Sequence, residues 1–316
     1  MENEIEVAIF SYNRGKYLRN CVESVLQNML DVKITVFDDN SDDKETVAYL
    51  STLTDRGVTV VTTREPSVSR HGNLYKNMQT ALHYATSRFM LFLQDDTQIV
   101  RAVDGADLKN IGAVFNDQDV AFLRPQLMKQ FSYDKFKSSM TADAKKRAYI
   151  PISDFLEGTF GNSYCDLVLG DVPKLRKAGW SFSDGERANQ IQAQSKFKHM
   201  PFMADGFVFY CPEVPCYRNK RMFWASKIAQ SKLRGRISAL KMLTETQSTE
   251  FKMRDINIWP IAENFLESTN PNAVKPFVYQ DYSQSKLLLS LYKIESALYK
   301  IAYGILFLAK SSSSRR

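Results

Sequence analysis

In 89-FMLFLQDDTQIV-100, five apolar residues from Phe89 to Leu93 run into Gln94 and then two adjacent carboxylates, Asp95 and Asp96. Apolar residues resume at Ile99 and Val100. A short, uninterrupted apolar run bounded by polar residues reads as a strand buried on both faces. Similar runs occur upstream as 5-IEVAIF-10, 32-VKITVF-37 and 58-VTVV-61. Between them, Tyr17, Leu18, Cys21, Val22, Val25 and Met29 keep helical spacing. So do Val47, Leu50 and Leu53, and then Met78, Leu82 and Ala85. Strands alternating with helices predict an α/β fold, a mostly parallel Rossmann-like sheet flanked by helices. Ligands of such sheets sit outside the carboxyl ends of the strands. The two carboxylates therefore belong to the ligand-binding edge.

The other strands end in the same manner. The first runs into 11-SYNRG-15, the second into 38-DDNSDD-43 and the third into 62-TTREP-66. Any one of these is an ordinary turn rich in Asn, Asp and Ser; their convergence at one edge points to a site. Neighbouring Asp side chains repel unless a cation neutralises them. Mg²⁺ and Mn²⁺ accept one or two protein carboxylates and complete their shells with water and phosphate oxygens. The pair thus suggests a metal–diphosphate site rather than a closed protein cage.

The chain has 316 residues, 44% hydrophobic and 24% charged, enough for a sizeable core and unlike a disordered chain. Its net charge of +7 is uneven: residues 1–216 balance to −3 and residues 217–316 to +10. We expect residues 1–216 to form the domain that carries this site and residues 217–316 a basic, helix-rich C-terminal extension. A basic tail of this kind suits a polyanion or an anionic membrane surface. Four cysteines make no disulfide framework, and 211-CPEVPC-216 reads as structural, with zinc as the weaker alternative. The start MENEIEVAIF lacks the pattern of a signal peptide, and no apolar run reaches the roughly 18 residues of a membrane span. The expected setting is cytoplasmic, peripheral on the inner face of the cell membrane.

Further along, 120-VAFLRP-125 and 205-DGFVFYCP-212 read as strands, and 171-DVPKLRKAGW-180 as a short helix capped by Asp171. The segment 184-DGERANQIQAQSKF-197 reads as another helix, and the polar stretch 129–149 as a loop over the site. No dinucleotide glycine motif, Walker sequence or HExxH occurs. His71, His83 and His199 are scattered, which argues against a hydrolase triad.

The order 7-VAIFSYNRGKYLRNCVESVL-26, 34-ITVFDDNSDDKET-46 and 75-YKNMQTALHYATSRFMLFLQDDTQ-98 resembles the GT-A glycosyltransferases of the family 2 type. The likeness continues more weakly through 171-DVPKLRKAGWSFSDGERANQ-190. Phe10 stands where the family often has Pro, and the acidic pair lacks the outer residue of a full DxD. Tyr210 or Cys211 falls where many relatives carry a metal-ligating His. The resemblance implies an inverting, metal-dependent transfer of a sugar from a nucleoside-diphosphate donor, most plausibly a UDP-sugar, to a glycan or lipid-linked acceptor, as in surface polysaccharide synthesis. It implies that Ser11, Tyr12, Asn13 and Arg14 cradle the nucleotide and that Asp39 accepts from the base. It further implies that Asp95 meets the ribose or sugar and that Asp96 holds Mn²⁺ or Mg²⁺. Arg64 or Arg70 would add a phosphate contact. Direct displacement needs a carboxylate base, and the resemblance puts it at Glu186 or Asp184, with Glu186 preferred because GER replaces a GED-like motif. An acidic first helical turn is also ordinary dipole compensation. Trp180 could stack on a sugar, although a lone Trp is more often core.

Two other functions use the same features: a sugar nucleotidyltransferase, for which SYNRGK is a poor phosphate loop, and a non-catalytic membrane-docking scaffold. In the tail, Leu287, Leu291, Ile294, Leu298, Ile301, Ile305 and Leu308 follow a 4-3 spacing, with Lys286, Lys293 and Lys300 seven residues apart. A membrane surface is the preferred partner of this amphipathic helix. Packing on the catalytic domain or on another subunit of a homo-oligomer is the alternative, and nucleic acid is disfavoured because nothing resembles a nucleic-acid fold.

Overall fold

The computed structural model describes residues 4–152, 162–214, 221–233 and 235–313. Strand β1 (Ile5–Ser11) is buried along its whole length, as the run IEVAIF requires. Helix α1 (Gly15–Asn28) follows and buries Tyr17, Leu18, Cys21, Val22 and Val25 along one stripe. Strand β2 (Lys33–Asp38) leads to α2 (Lys44–Leu50), whose N-cap Asp43 accepts from the Thr46 N–H at 3.0 Å. Then come β3 (Thr59–Thr62), α3 (Leu74–Tyr84) and β4 (Phe89–Gln94). A short β5 (Thr97–Ile99) precedes α4 (Gly105–Phe115), which starts on a capping box of Asp104 and Asp107.

Past β6 (Phe122–Leu123), the stretch expected as a loop is ordered otherwise. It holds α5 (Tyr133–Lys137) and an antiparallel hairpin of β7 (Met140–Asp143) and β8 (Ala148–Pro151). Its polar composition hid a buried row: Phe136, Met140 and Tyr149 pack with Met128 and Phe202. The sheet-bearing half closes with β9 (Val168–Asp171), α6 (Val172–Lys177), α7 (Glu186–Lys196), β10 (Phe202–Met203) and β11 (Val208–Tyr210).

The main sheet runs β3-β2-β1-β4-β9-β6, with the first four strands parallel and β9 antiparallel to both its neighbours. This is the expected mixed α/β architecture. Register pairs Ser11 with Asp38 and Phe10 with Gln94. The turns after β1, β2 and β4 therefore leave the sheet side by side. One apolar cluster fills each face: Leu18, Val22 and Phe115 lie on one, Phe10, Met78, Phe92 and Trp180 on the other. Trp180 is thus core, ringed by Phe122, Tyr164, Phe182 and Phe197.

The boundary expected at residue 216, and Cys216 with it, lie outside the described residues. Beyond it stand α8 (Trp224–Leu233), α9 (Glu245–Met253), α10 (Ala262–Phe265) and α11 (Lys286–Ser313). Residues 237–282 are fastened to the sheet domain. Leu240, Phe251, Leu266 and Phe277 share a core with Val100, Leu127 and Phe209. Gln98 exchanges side-chain hydrogen bonds with the Leu240 backbone at 2.7 and 2.9 Å. Cys21, Cys165 and Cys211 are buried free thiols. Among the described residues no helix is long and apolar enough to cross a membrane.

Candidate active site

The three strand-end turns are tied into one wall. Asn13, at a φ of +50° that Asn tolerates in a turn, donates from its backbone to Ser41 Oγ and from Nδ2 to Asp42 Oδ1. Its Oδ1 accepts from the Asp42 and Asp43 N–H groups. Asn13 therefore works as a clamp between the first and second turns. Asp38, at the end of β2, holds Ser41 through its backbone and hydroxyl, and burial raises its pKa. Gly15 lets α1 start hard against α2: a Cβ there would lie 2.7 Å from the Thr46 nitrogen.

Behind this wall is a cavity of about 730 Å³, a size suited to a nucleotide-scale ligand. Ser11, Tyr12, Asn13, Arg14, Asp39, Arg70 and Asp95 all line it, so the structure gathers these seven expected residues in one place. Its floor carries Phe10 and Phe37, stacked at 5.5 Å. Arg64 is exposed and not among the lining residues. Asp39 is buried and oriented by Asn73, whose backbone N–H and Nδ2 donate to its two oxygens at 2.8 and 2.7 Å.

The adjacent carboxylates are neutralised from within the chain. Arg14 Nη1 stands 3.0 Å from Asp95 Oδ1 and 3.0 Å from Asp96 Oδ2. The Tyr12 N–H donates to Asp95 Oδ2 at 3.3 Å, and the Tyr279 hydroxyl to Asp96 Oδ2 at 2.7 Å. A cation is expected beside these two acids, and in the structure the Arg14 guanidinium stands there. Burial pushes the Asp95 carboxyl up to about 6, with Arg14 drawing it down and Asp96 adding repulsion. Neither Arg14's bridging position nor the arrival of Tyr279, 183 residues downstream of Asp96, has a signal in local sequence.

Among the described residues, no group of three or more His, Cys, Asp or Glu side chains could hold a metal by itself. A diphosphate-bound Mg²⁺ or Mn²⁺ needs less, one or two carboxylates. Asp95 and Asp96 supply hard oxygen donors that already face a single shared cationic group. That donor set fits the ion.

A second acidic locus lies across the N-terminal end of α3. Glu186, the first residue of α7, accepts the Asp166 N–H on Oε1 at 3.2 Å. Burial raises its pKa, while Arg124 and Lys129 pull it back. Asp184 is exposed and takes the Ser69 hydroxyl at 2.8 Å. Lys129 joins the two loci: it lies within electrostatic reach of Asp96 and Glu186 and over the Tyr210 ring at 4.0 Å. Burial, with Arg124 adding repulsion, brings its pKa down to about 8. Asp166 and Lys129 escaped the sequence reading because each is a single charged residue in an unremarkable stretch.

Residues 6–103 match the family described as Glycosyl transferase family 2. No curated protein matches the chain significantly. Among solved structures the chain is similar to residues 1–349 of S. aureus TarS in complex with UDP-GlcNAc, at 15% identity and a TM-score of 0.50. That match covers 79% of this chain and 70% of that one. It is also similar to the mannosyltransferase PcManGT from Pyrobaculum calidifontis in complex with GDP-Man and Mn²⁺. There the identity is 16%, the coverage 74% and 63%, and the TM-score 0.42.

Proposed function

We propose that this family 2 glycosyltransferase of GT-A fold moves a sugar from a UDP-sugar to a hydroxyl of a glycan or lipid-linked acceptor, inverting the anomeric carbon. The observation that carries the reading is the single cavity shared by Asp39, Asp95 and the 11–14 turn at the carboxyl edge of the parallel strands. The UDP-GlcNAc held by the TarS neighbour supports the choice of donor class. In this reading Asp39 accepts from the uracil N–H and the Phe10–Phe37 floor lies beneath the base. Asp95 meets the ribose or sugar. Arg70 contributes charge for the phosphates, while Asp96 together with Asp95 would hold Mn²⁺ or Mg²⁺. The ion would neutralise charge on the departing diphosphate.

Glu186 is the preferred base, because it is half-buried and within electrostatic reach of Lys129 whereas Asp184 faces solvent and is engaged by Ser69. The acceptor oxygen forms a bond to the anomeric carbon and gives its proton to Glu186. The bond from that carbon to the diphosphate oxygen breaks, and the nucleoside diphosphate leaves with the electron pair. The C-terminal helices would hold the enzyme at the inner face of the cell membrane, next to a lipid-linked acceptor.

A thermal-shift panel of UDP- and GDP-sugars, with and without Mn²⁺, tests the donor and the ion together. UDP-sugars should raise the Tm of the unaltered protein further with Mn²⁺ than without it, and Asp96→Asn should lose only the Mn²⁺-dependent part. Survival of that part in the variant overturns the metal assignment. An unmoved Tm with every nucleotide sugar overturns the donor reading.

A further inference from the structure

Glu186 shares its surroundings with a carboxylate that the proposed chemistry leaves unused. Asp166, two residues before β9, gives its main-chain N–H to Glu186 Oε1 and takes the Tyr75 hydroxyl on Oδ2 at 2.9 Å. Its Oδ1 is buried and, among the described residues, receives no hydrogen bond. The groups facing the two acids differ in kind. Arg124, after β6, and Lys129 attend Glu186. Asp166 is faced by the phenols of Tyr75 from α3 and Tyr164 from its own segment, beside the buried Cys165 thiol. Asp184 is exposed and held by Ser69. Two neighbouring, half-buried carboxylates do not both ionise readily. Among the described residues the cations attend Glu186, so the proton favours Asp166.

We propose that Asp166 is the protonated partner of Glu186, a positioning residue that keeps one proton of the pair so that Glu186 stays ionised to accept the proton of the acceptor hydroxyl. The inference rests on the reading of Glu186 as base. Burial first, and then repulsion from Glu186, pushes the Asp166 carboxyl up to about 7, so this proton is lost near neutral pH. Above that point the pair carries two charges and Glu186 becomes a stronger base, but one harder to keep desolvated. Such a pair titrates in two steps that belong to both residues.

Infrared difference spectra of the full chain, unaltered minus Asp166→Asn, read the proton directly. A protonated-carboxyl carbonyl band should be present below neutral pH and vanish as pH rises through about 7. In Glu186→Gln the same band should vanish at least about one pH unit lower, because the repulsion is gone. In kinetics, kcat/KM of the unaltered enzyme should show an inflection near neutrality that Asp166→Asn lacks. The acid limb of that variant should stay where it is in the unaltered enzyme, because asparagine, like the protonated Asp166, carries no charge. Absence of the band, or a pH profile of Asp166→Asn that superimposes on the unaltered one, overturns the proposal. The two readings fail separately: full activity in Glu186→Gln would remove the base assignment while the infrared band still decides the shared proton.

Discussion

Arg14 is one charge shared by two acids, with its side chain 17% accessible against 5% and 4% for Asp95 and Asp96. In a buried pair, removing one partner leaves a desolvated charge, which costs more than the pair itself contributes. Arg14→Met should therefore destabilise the ligand-free protein by about 3 kcal/mol, the low end for a buried pair because Arg14 retains some solvent. Urea denaturation checks this, and an unchanged midpoint would show that water, rather than Arg14, solvates the carboxylates. The sequence placed Arg14 in the turn after the first strand, and Arg14 lines the cavity. It did not reveal which group the guanidinium faces, because that contact spans the distance from residue 14 to residues 95 and 96.

Among the elements, α11 reads differently in space than in one dimension. Its apolar spacing suits a packed seam, yet the face turned to α8 is another one. Leu288 and Tyr292 pack with Ala225, Ala229 and Tyr282, and Glu295 caps α8 by accepting from the Trp224 and Ala225 N–H groups. Of the stripe, Leu291 packs with this cluster, whereas Leu287 is 78% exposed, Ile294 58%, Leu298 62% and Ile301 60%. The side chains of Ile305 and Leu308 lie outside the described residues. Trp224 and Ile228 on α8 are exposed as well. Exposed apolar rows flanked by lysines suit the interface of an anionic bilayer. Leu287→Glu combined with Ile294→Glu and Leu298→Glu should abolish sedimentation with vesicles of anionic phospholipid while leaving the Tm unchanged. Undiminished sedimentation would leave these residues without a membrane role, and an altered oligomeric state would identify a second copy as the occupant.

For the molecule as a whole, the chain beyond residue 221 is bound into the site. Met222, Gln230 and Gly235 line the cavity, Lys16 Nζ donates to the Gly235 carbonyl at 2.6 Å, and Tyr279 reaches Asp96. Charges bind the same halves: Arg254 meets Asp205 beside Arg147, and Lys252 pairs with Asp104 and with Asp107, which also forms a fully buried pair with Arg101. A chain ended at residue 216 would expose Val100, Leu127 and Phe209, which pack against Leu240, Phe251 and Phe277. It should unfold without cooperativity in calorimetry and show no donor-induced shift. A sharp transition with an undiminished shift would make the C-terminal region an independent appendage.

Most of the sheet and its ligand edge could be read from residues 1–100, because strand, helix and turn signals are local and period-driven. The apolar runs at 5–10, 32–37 and 89–93, and the Asp, Asn and Ser clusters after them, determined that much unaided. The hairpin at 140–151 escaped, since its buried residues are set among lysines and serines. What only the tertiary structure decided is who neutralises whom. Arg14 lies between Asp95 and Asp96, Asn73 orients Asp39, Tyr279 meets Asp96, and Asp166 sits beside Glu186. The physical reason is that hydrophobic periodicity is written along the chain, whereas electrostatic complementarity is settled by distance in space, between residues that sequence separates by tens to hundreds of positions.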